Sequence, residues 1–137
     1  MLTEDYCSIE LSKLLKEKGF HCGVKNYYSL SKESVKAHHE KKYGAKKDWN
    51  SFELTVSRPS QSLVMKWLRE LYKIHIDIQY GNVGNHEELI LQYWYEIVDS
   101  KGRFCESNIV DGNSSYEEAA EDAIKYCLQN LIKCRQT

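Results

Sequence analysis

The sequence is short of several things that would narrow its job. Proline occurs once in 137 residues, at Pro59, and the seven glycines are scattered, so no proline- or glycine-rich linker divides the chain. No stretch approaches the 18 or more apolar residues of a membrane span. Net charge is almost absent, at -1 from 19 basic and 20 acidic residues, so nucleic acid or an anionic surface must be argued from a local patch. The five cysteines, Cys7, Cys22, Cys105, Cys127 and Cys134, form no CxxC pair, and their odd number suits reduced thiols. There is no Walker loop, no GxGxxG and no GxSxG elbow, and the HEELI run at His86 lacks the second histidine of a zinc protease motif. No enzyme class, cofactor or metal is indicated.

What is present suits a packed core. Apolar residues make up 42% and charged residues 28%, and a chain of this length buries roughly two thirds of its unfolded surface in one domain. The first stretch, MLTEDYCSIELSKLLKEKGF, carries acids where a secretory signal is basic, so the expected location is cytoplasmic.

Periodicity predicts an α+β fold. Leu11, Leu14 and Leu15 share one face of a helix over 8–18, stopped by Gly19. Short strands are expected near 24–30 and 52–56, the latter with Phe52, Leu54 and Val56 alternating. Between them, residues 31–50 hold six lysines, and their thin apolar stripe suits a marginal helix up to Gly44 or a mobile arm. From residue 57 the pattern sharpens. Leu63, Val64, Trp67, Leu68 and Leu71 form one face of a helix over 59–72, with Ser57 or Ser60 as cap and Pro59 in its first turn.

Three antiparallel strands follow, at about 74–80, 89–98 and 103–110, the last two joined by a DSKG turn in which Gly102 takes a positive φ. Ser115 and Glu118 then form a capping box for a helix over 115–133. The helices at 59–72 and 115–133 are expected on the Ile74, Ile76, Ile78 side of the sheet.

Three blocks, LSKLLKEKGF, PSQSLVMKWLRELYKIHI and SYEEAAEDAIKYCLQNLI, resemble a family of small proteins from gut Bacteroidales and their phages or mobile elements. That resemblance implies a bacterial or phage intracellular origin, and brings no assigned activity and no catalytic residues. The order α-β-β-β-α is also similar to the double-stranded-RNA-binding fold, whose last helix meets phosphate with basic residues. Here that helix opens with Glu117, Glu118, Glu121 and Asp122, which repel phosphate. Relatives of that fold serve as protein-binding modules in bacterial antitoxins.

Two surfaces could act. Alternation places His75, Asp77 and Gln79 on one strand face with Gln92, Trp94 and Glu96 beside them, a tryptophan among polar groups that could anchor a protein partner. His75 and Asp77 could orient each other as a base and its partner, but no nucleophile accompanies them. The same pattern describes the ordinary solvated side of a sheet. The alternative is nucleic acid on the lysine stretch, through Lys36, Lys41, Lys42, Lys46 and Lys47 with Trp49 stacking on bases. The expected function is a non-enzymatic interaction module, an accessory protein of such a bacterium, phage or mobile element, with a protein partner and no membrane role; self-association stays open, a sheet edge or face being where a homodimer could form.

Overall fold

The computed structural model describes residues 5–30, 35–39, 46–106 and 112–132. The fold is α+β, and the chain gathers into two compact units, one reaching to Ser60 and taking in Ile132, the other spanning Gln61–Leu131.

The first unit opens with α1 (Ile9–Glu17), where the Ser8 hydroxyl accepts from Leu11 N–H and Gly19 closes the helix at φ +87°. Leu11, Leu15 and Phe20 are buried from this segment. The unit's sheet has the order β2-β1-β3, all antiparallel, from β1 (Asn26–Leu30), β2 (Val35–His39) and β3 (Thr55–Ser57).

Two expectations change here. Residues 35–39 form a strand rather than part of a helix, because they pair along the whole of β1, and ladder bonds outweigh weak helical periodicity. The strand foreseen at 52–56 begins only at Thr55. Phe52 and Leu54 are 54% and 67% exposed, since a 3-10 turn at Trp49–Ser51 precedes the strand, and Val56 within it is buried. Of the rest of the lysine stretch, residues 31–34 and 40–45, with Lys32, Lys41, Lys42 and Tyr43, lie outside the described residues.

Side chains rather than ladders fix that turn. Asn50 is buried, with Nδ2 donating to Phe20 O at 2.7 Å and Oδ1 accepting from Ser57 N at 2.8 Å. Asp48 accepts from Asn50 N–H, from the Ser51 hydroxyl at 2.6 Å and from His21 Nδ1 at 2.9 Å. Arg58 lies over the rings of Tyr6 and Tyr28 and donates to the Tyr28 hydroxyl.

The second unit is the regular one. Helix α2 (Gln61–Tyr72) buries Val64, Met65, Trp67 and Leu68, but Leu71 is 60% exposed. Its stripe ends one turn short because Lys73, at φ 55°, turns the chain straight into the sheet. Strands β4 (His75–Asn82), β5 (Leu91–Val98) and β6 (Phe104–Glu106) form an antiparallel sheet in that order. Strand β5 starts two residues later than expected, leaving Leu89 72% exposed in the connecting loop. The Asp99–Gly102 turn forms as foreseen, with Gly102 at φ 76°. Of the third strand, residues 107–110 lie outside the described residues.

Helix α3 (Tyr116–Tyr126) is capped by the Ser115 hydroxyl, which accepts from Glu118 N–H. It widens into a π turn at Cys127–Leu131, and Lys133 lies outside the described residues. Register places Ile76 opposite Ile97, Ile78 opposite Tyr95 and Tyr80 opposite Tyr93, all on the helix-covered side. There Tyr126 packs on Tyr95 and Tyr116 on Tyr93, while Ala119, Ala120, Ala123 and Ile124 are buried.

Asn50→Ala strands two buried backbone groups, Phe20 C=O and Ser57 N–H, and is expected to destabilise the fold by about 2–4 kcal/mol in urea denaturation. Burial pushes the Asp48 carboxyl up, and its hydrogen bonds from Ser51, His21 and Asn50 outweigh that and hold it below the ordinary 3.8. A depressed carboxylate contributes stability above its ordinary pKa and loses it as pH falls through the folded value. Melting temperature followed from neutral pH into this acid window should fall more steeply for the wild type than for Asp48→Asn.

Candidate functional site

The sheet of the second unit has a side away from α2 and α3, and its composition follows from register. Rows cross the strands there: His75 with Val98 and Phe104, then Asp77 with Glu96 and Glu106, then Gln79 with Trp94, then Gly81 with Gln92. Each row is a set of directly opposed residues whose Cβ atoms lie about 4.5–5.5 Å apart. The structure thus gathers the residues expected from sequence, His75, Asp77, Gln79, Gln92, Trp94 and Glu96, on one face. It adds three that sequence reading missed: Val98, Phe104 and Glu106.

Charge and apolar surface are arranged unusually on this face. Asp77, Glu96 and Glu106 make a row of three carboxylates across three strands, with Asp77 and Glu106 exposed. Like charges directly opposed destabilise a sheet by a few tenths to about 1 kcal/mol per pair. Beside this row, Val98 and Phe104 form an apolar pair that is 39% and 60% exposed.

On the other side of the row stands Trp94. Its ring leans diagonally across the sheet onto Gly81, where a Cβ would stand 3.1 Å from Cη2. Glycine leaves the shelf on which the indole rests. The Trp94 Nε1 and Gln92 Oε1 atoms are shielded and have no hydrogen-bond partner among the described residues.

Among the described residues the histidine and aspartate, His75 and Asp77, are not hydrogen-bonded to each other. The Asp77 carboxylate accepts from Gln79 Nε2 at 2.6 Å, a bond within its own strand. No group of three or more His, Cys, Asp or Glu side chains there is placed to hold a metal ion.

The lysine alternative fares differently at each residue. Lys46 and Lys47 are exposed, and Lys47 Nζ sits 5.5 Å from the Trp49 ring centre. Trp49 itself is buried, donates from Nε1 to Val24 O at 2.9 Å, and stacks on Tyr27 with ring centres 3.9 Å apart. Its faces are committed inside the first unit, so it offers no platform to a base. Lys36 lies on β2, opposite Ser29, and Lys41 and Lys42 are outside the described residues.

Two other places invite a chemical reading. His21, Asp48 and Ser51 converge beside Cys22, but burial and then the Asp48 charge push the Cys22 thiol up, the reverse of an activated nucleophile. That cluster caps a turn. A surface hollow of about 570 Å³ lies along the loop after β4, lined by Asn82, Gly84, Asn85, His86, Glu87 and Leu89. The Asn82 and Asn85 side-chain oxygens there already accept from backbone N–H groups of the same loop.

Among the described residues no helix is long and apolar enough to cross a membrane. Comparison of the chain with protein-family models, curated proteins and solved structures finds no match.

If the carboxylate row is held against its own repulsion, relieving it should stabilise the sheet. Glu96→Gln, at the centre of the row, is expected to gain about 0.2–1 kcal/mol in chemical denaturation, with the gain shrinking as salt is raised.

Proposed function

We propose that the protein is a non-enzymatic interaction module whose outer sheet face, on β4, β5 and β6, receives a protein segment carrying basic side chains next to an apolar or aromatic one. One observation carries this reading: three opposed carboxylates, unfavourable to the free sheet, lie directly beside an exposed Val98–Phe104 pair. Lysine or arginine side chains would neutralise the row, and an adjacent apolar side chain would cover Val98 and Phe104. The ring of Trp94 on Gly81 offers a further aromatic contact of the kind that anchors interfaces.

The same features weigh against nucleic acid on this face, because the row repels phosphate. The resemblance of LSKLLKEKGF, PSQSLVMKWLRELYKIHI and SYEEAAEDAIKYCLQNLI to small proteins of gut Bacteroidales and their phages supports an accessory role in such a cell or element.

Selection from a displayed random peptide library tests the reading. Enriched peptides should carry Lys or Arg flanking a large apolar residue, and their affinity should fall about tenfold or more with Glu96→Lys. Phe104→Ala should weaken them independently of salt. No enrichment, or enriched peptides that bind Glu96→Lys as tightly as the wild type, would overturn it. A gel shift with single- and double-stranded DNA and RNA serves as the contrasting arm, where salt-sensitive retardation lost on changing Lys46 and Lys47 to Gln would favour the lysine stretch instead.

A further inference from the structure

Strand β4 pairs with β5 on one side, and among the described residues nothing pairs with it on the other. The alternation of the β4–β5 ladder fixes which of its backbone groups face that open edge. Tyr93 exchanges both its N–H and its C=O with Asn113, on the side of β5 away from β4. Tyr80, opposite Tyr93, is therefore in a non-hydrogen-bonded pair, and its own N–H and C=O point to the open edge. The Val83 N–H, which donates to Ile90 O, fits the same alternation. Ile76 and Ile78 consequently point their backbone groups outward as well.

Asp77 is the one charged side chain on this edge, and it stands on the outer face. Over eight residues, HIDIQYGN, the edge carries no lysine, no proline and no bulge. Tyr80 at the edge is 55% exposed, on the apolar side of the sheet.

We infer that β4 pairs antiparallel with the β4 of a second copy about a twofold axis through Ile78, joining two three-stranded sheets into one of six strands. The sequence of the edge fits itself in that register. Ile78 meets Ile78 of the second copy, and Ile76 meets Tyr80 of the second copy in both directions, all of them residues whose N–H and C=O face outward. On the opposite face Asp77 stands across from Gln79 of the second copy, and His75 from Gly81 of the second copy. No like charges are opposed. A twofold through Asp77 would instead set carboxylate against carboxylate. The axis is perpendicular to the sheet, so both outer faces end on one side, and a segment-binding face becomes bivalent. The pairing follows from the edge alone and does not rest on what the face binds.

Sedimentation equilibrium of the full chain at micromolar concentration, with circular dichroism to check folding, tests the inference. The wild type should be a dimer. Tyr80→Pro removes an outward-facing donor without touching the β4–β5 ladder and should weaken the dimer about tenfold or more. Gln79 gives a second, register-specific arm. Gln79→Lys faces Asp77 of the second copy and should tighten the dimer, while Gln79→Glu should loosen it. A monomeric wild type overturns the inference, as does a folded Tyr80→Pro chain that dimerises as well as the wild type. If Tyr80→Pro fails to fold, the Gln79 pair decides: opposite shifts support the pairing, and equal shifts or none overturn it.

Discussion

Everything distinctive in the second unit depends on the unbroken pairing of β4 with β5, eight opposed residues from His75–Val98 to Asn82–Leu91. Because side chains alternate with a period of two, a slip of one residue would send either Ile76 and Ile78 of β4, or Tyr93, Tyr95 and Ile97 of β5, to the outer side and bring Asp77 or Glu96 under the helices. Burying either carboxylate without a partner costs several kcal/mol, so the register is enforced by the core. The outer rows are then a consequence: once Ile97 is fixed opposite Ile76, Glu96 must stand opposite Asp77. What the face displays is therefore set by residues chosen at the alternate positions, which the core leaves free.

That freedom makes the carboxylate row informative. Packing requires nothing of Asp77, Glu96 or Glu106, and a lysine at any of them would turn mutual repulsion into attraction. The chain has 19 basic residues to draw on, six of them within residues 31–50, so a shortage of lysine does not explain the pattern. The exposed Val98–Phe104 pair adds a second departure from what a solvated sheet face needs. A surface that gives up stability twice in adjacent rows is better suited to an occupant than to water.

The legibility of the sequence followed the regularity of the backbone. Helix α2, strands β4 and β5, the Gly102 turn and the Ser115 cap are marked by strong periodicity or by residues with a single conformational use, and their limits fall within a few residues of the structure. The first unit was harder to read because tertiary side-chain bonds shape it. Nothing local announces that Asn50 will reach Phe20 and Ser57, or that Asp48 will hold a 3-10 turn where Phe52, Leu54 and Val56 spell alternation. Trp49 shows the same limit, since its aromatic character was plain but its burial against Tyr27 depends on a turn that periodicity does not encode. On the candidate face, His75, Asp77, Gln79, Trp94 and Glu96 could be grouped from parity within two strands. Val98, Phe104 and Glu106 could not, because placing them requires the register of β6 against β5.

Parity also separates the two properties argued for β4. Its odd residues, His75, Asp77 and Gln79, direct their backbone groups to β5 and their side chains to the outer face. Its even residues, Ile76, Ile78 and Tyr80, direct side chains to the helices and backbone groups to the open edge. A change to an odd position alters the outer face while leaving the edge donors and acceptors in place, and a proline at an even position alters the edge while leaving the rows of carboxylates standing. The proposed recognition and the proposed strand pairing therefore call on different atoms of the same eight residues. One short strand can serve both without either constraining the other's side chains, except where outer-face residues meet across the proposed twofold at Ile78, Asp77 against Gln79 and His75 against Gly81.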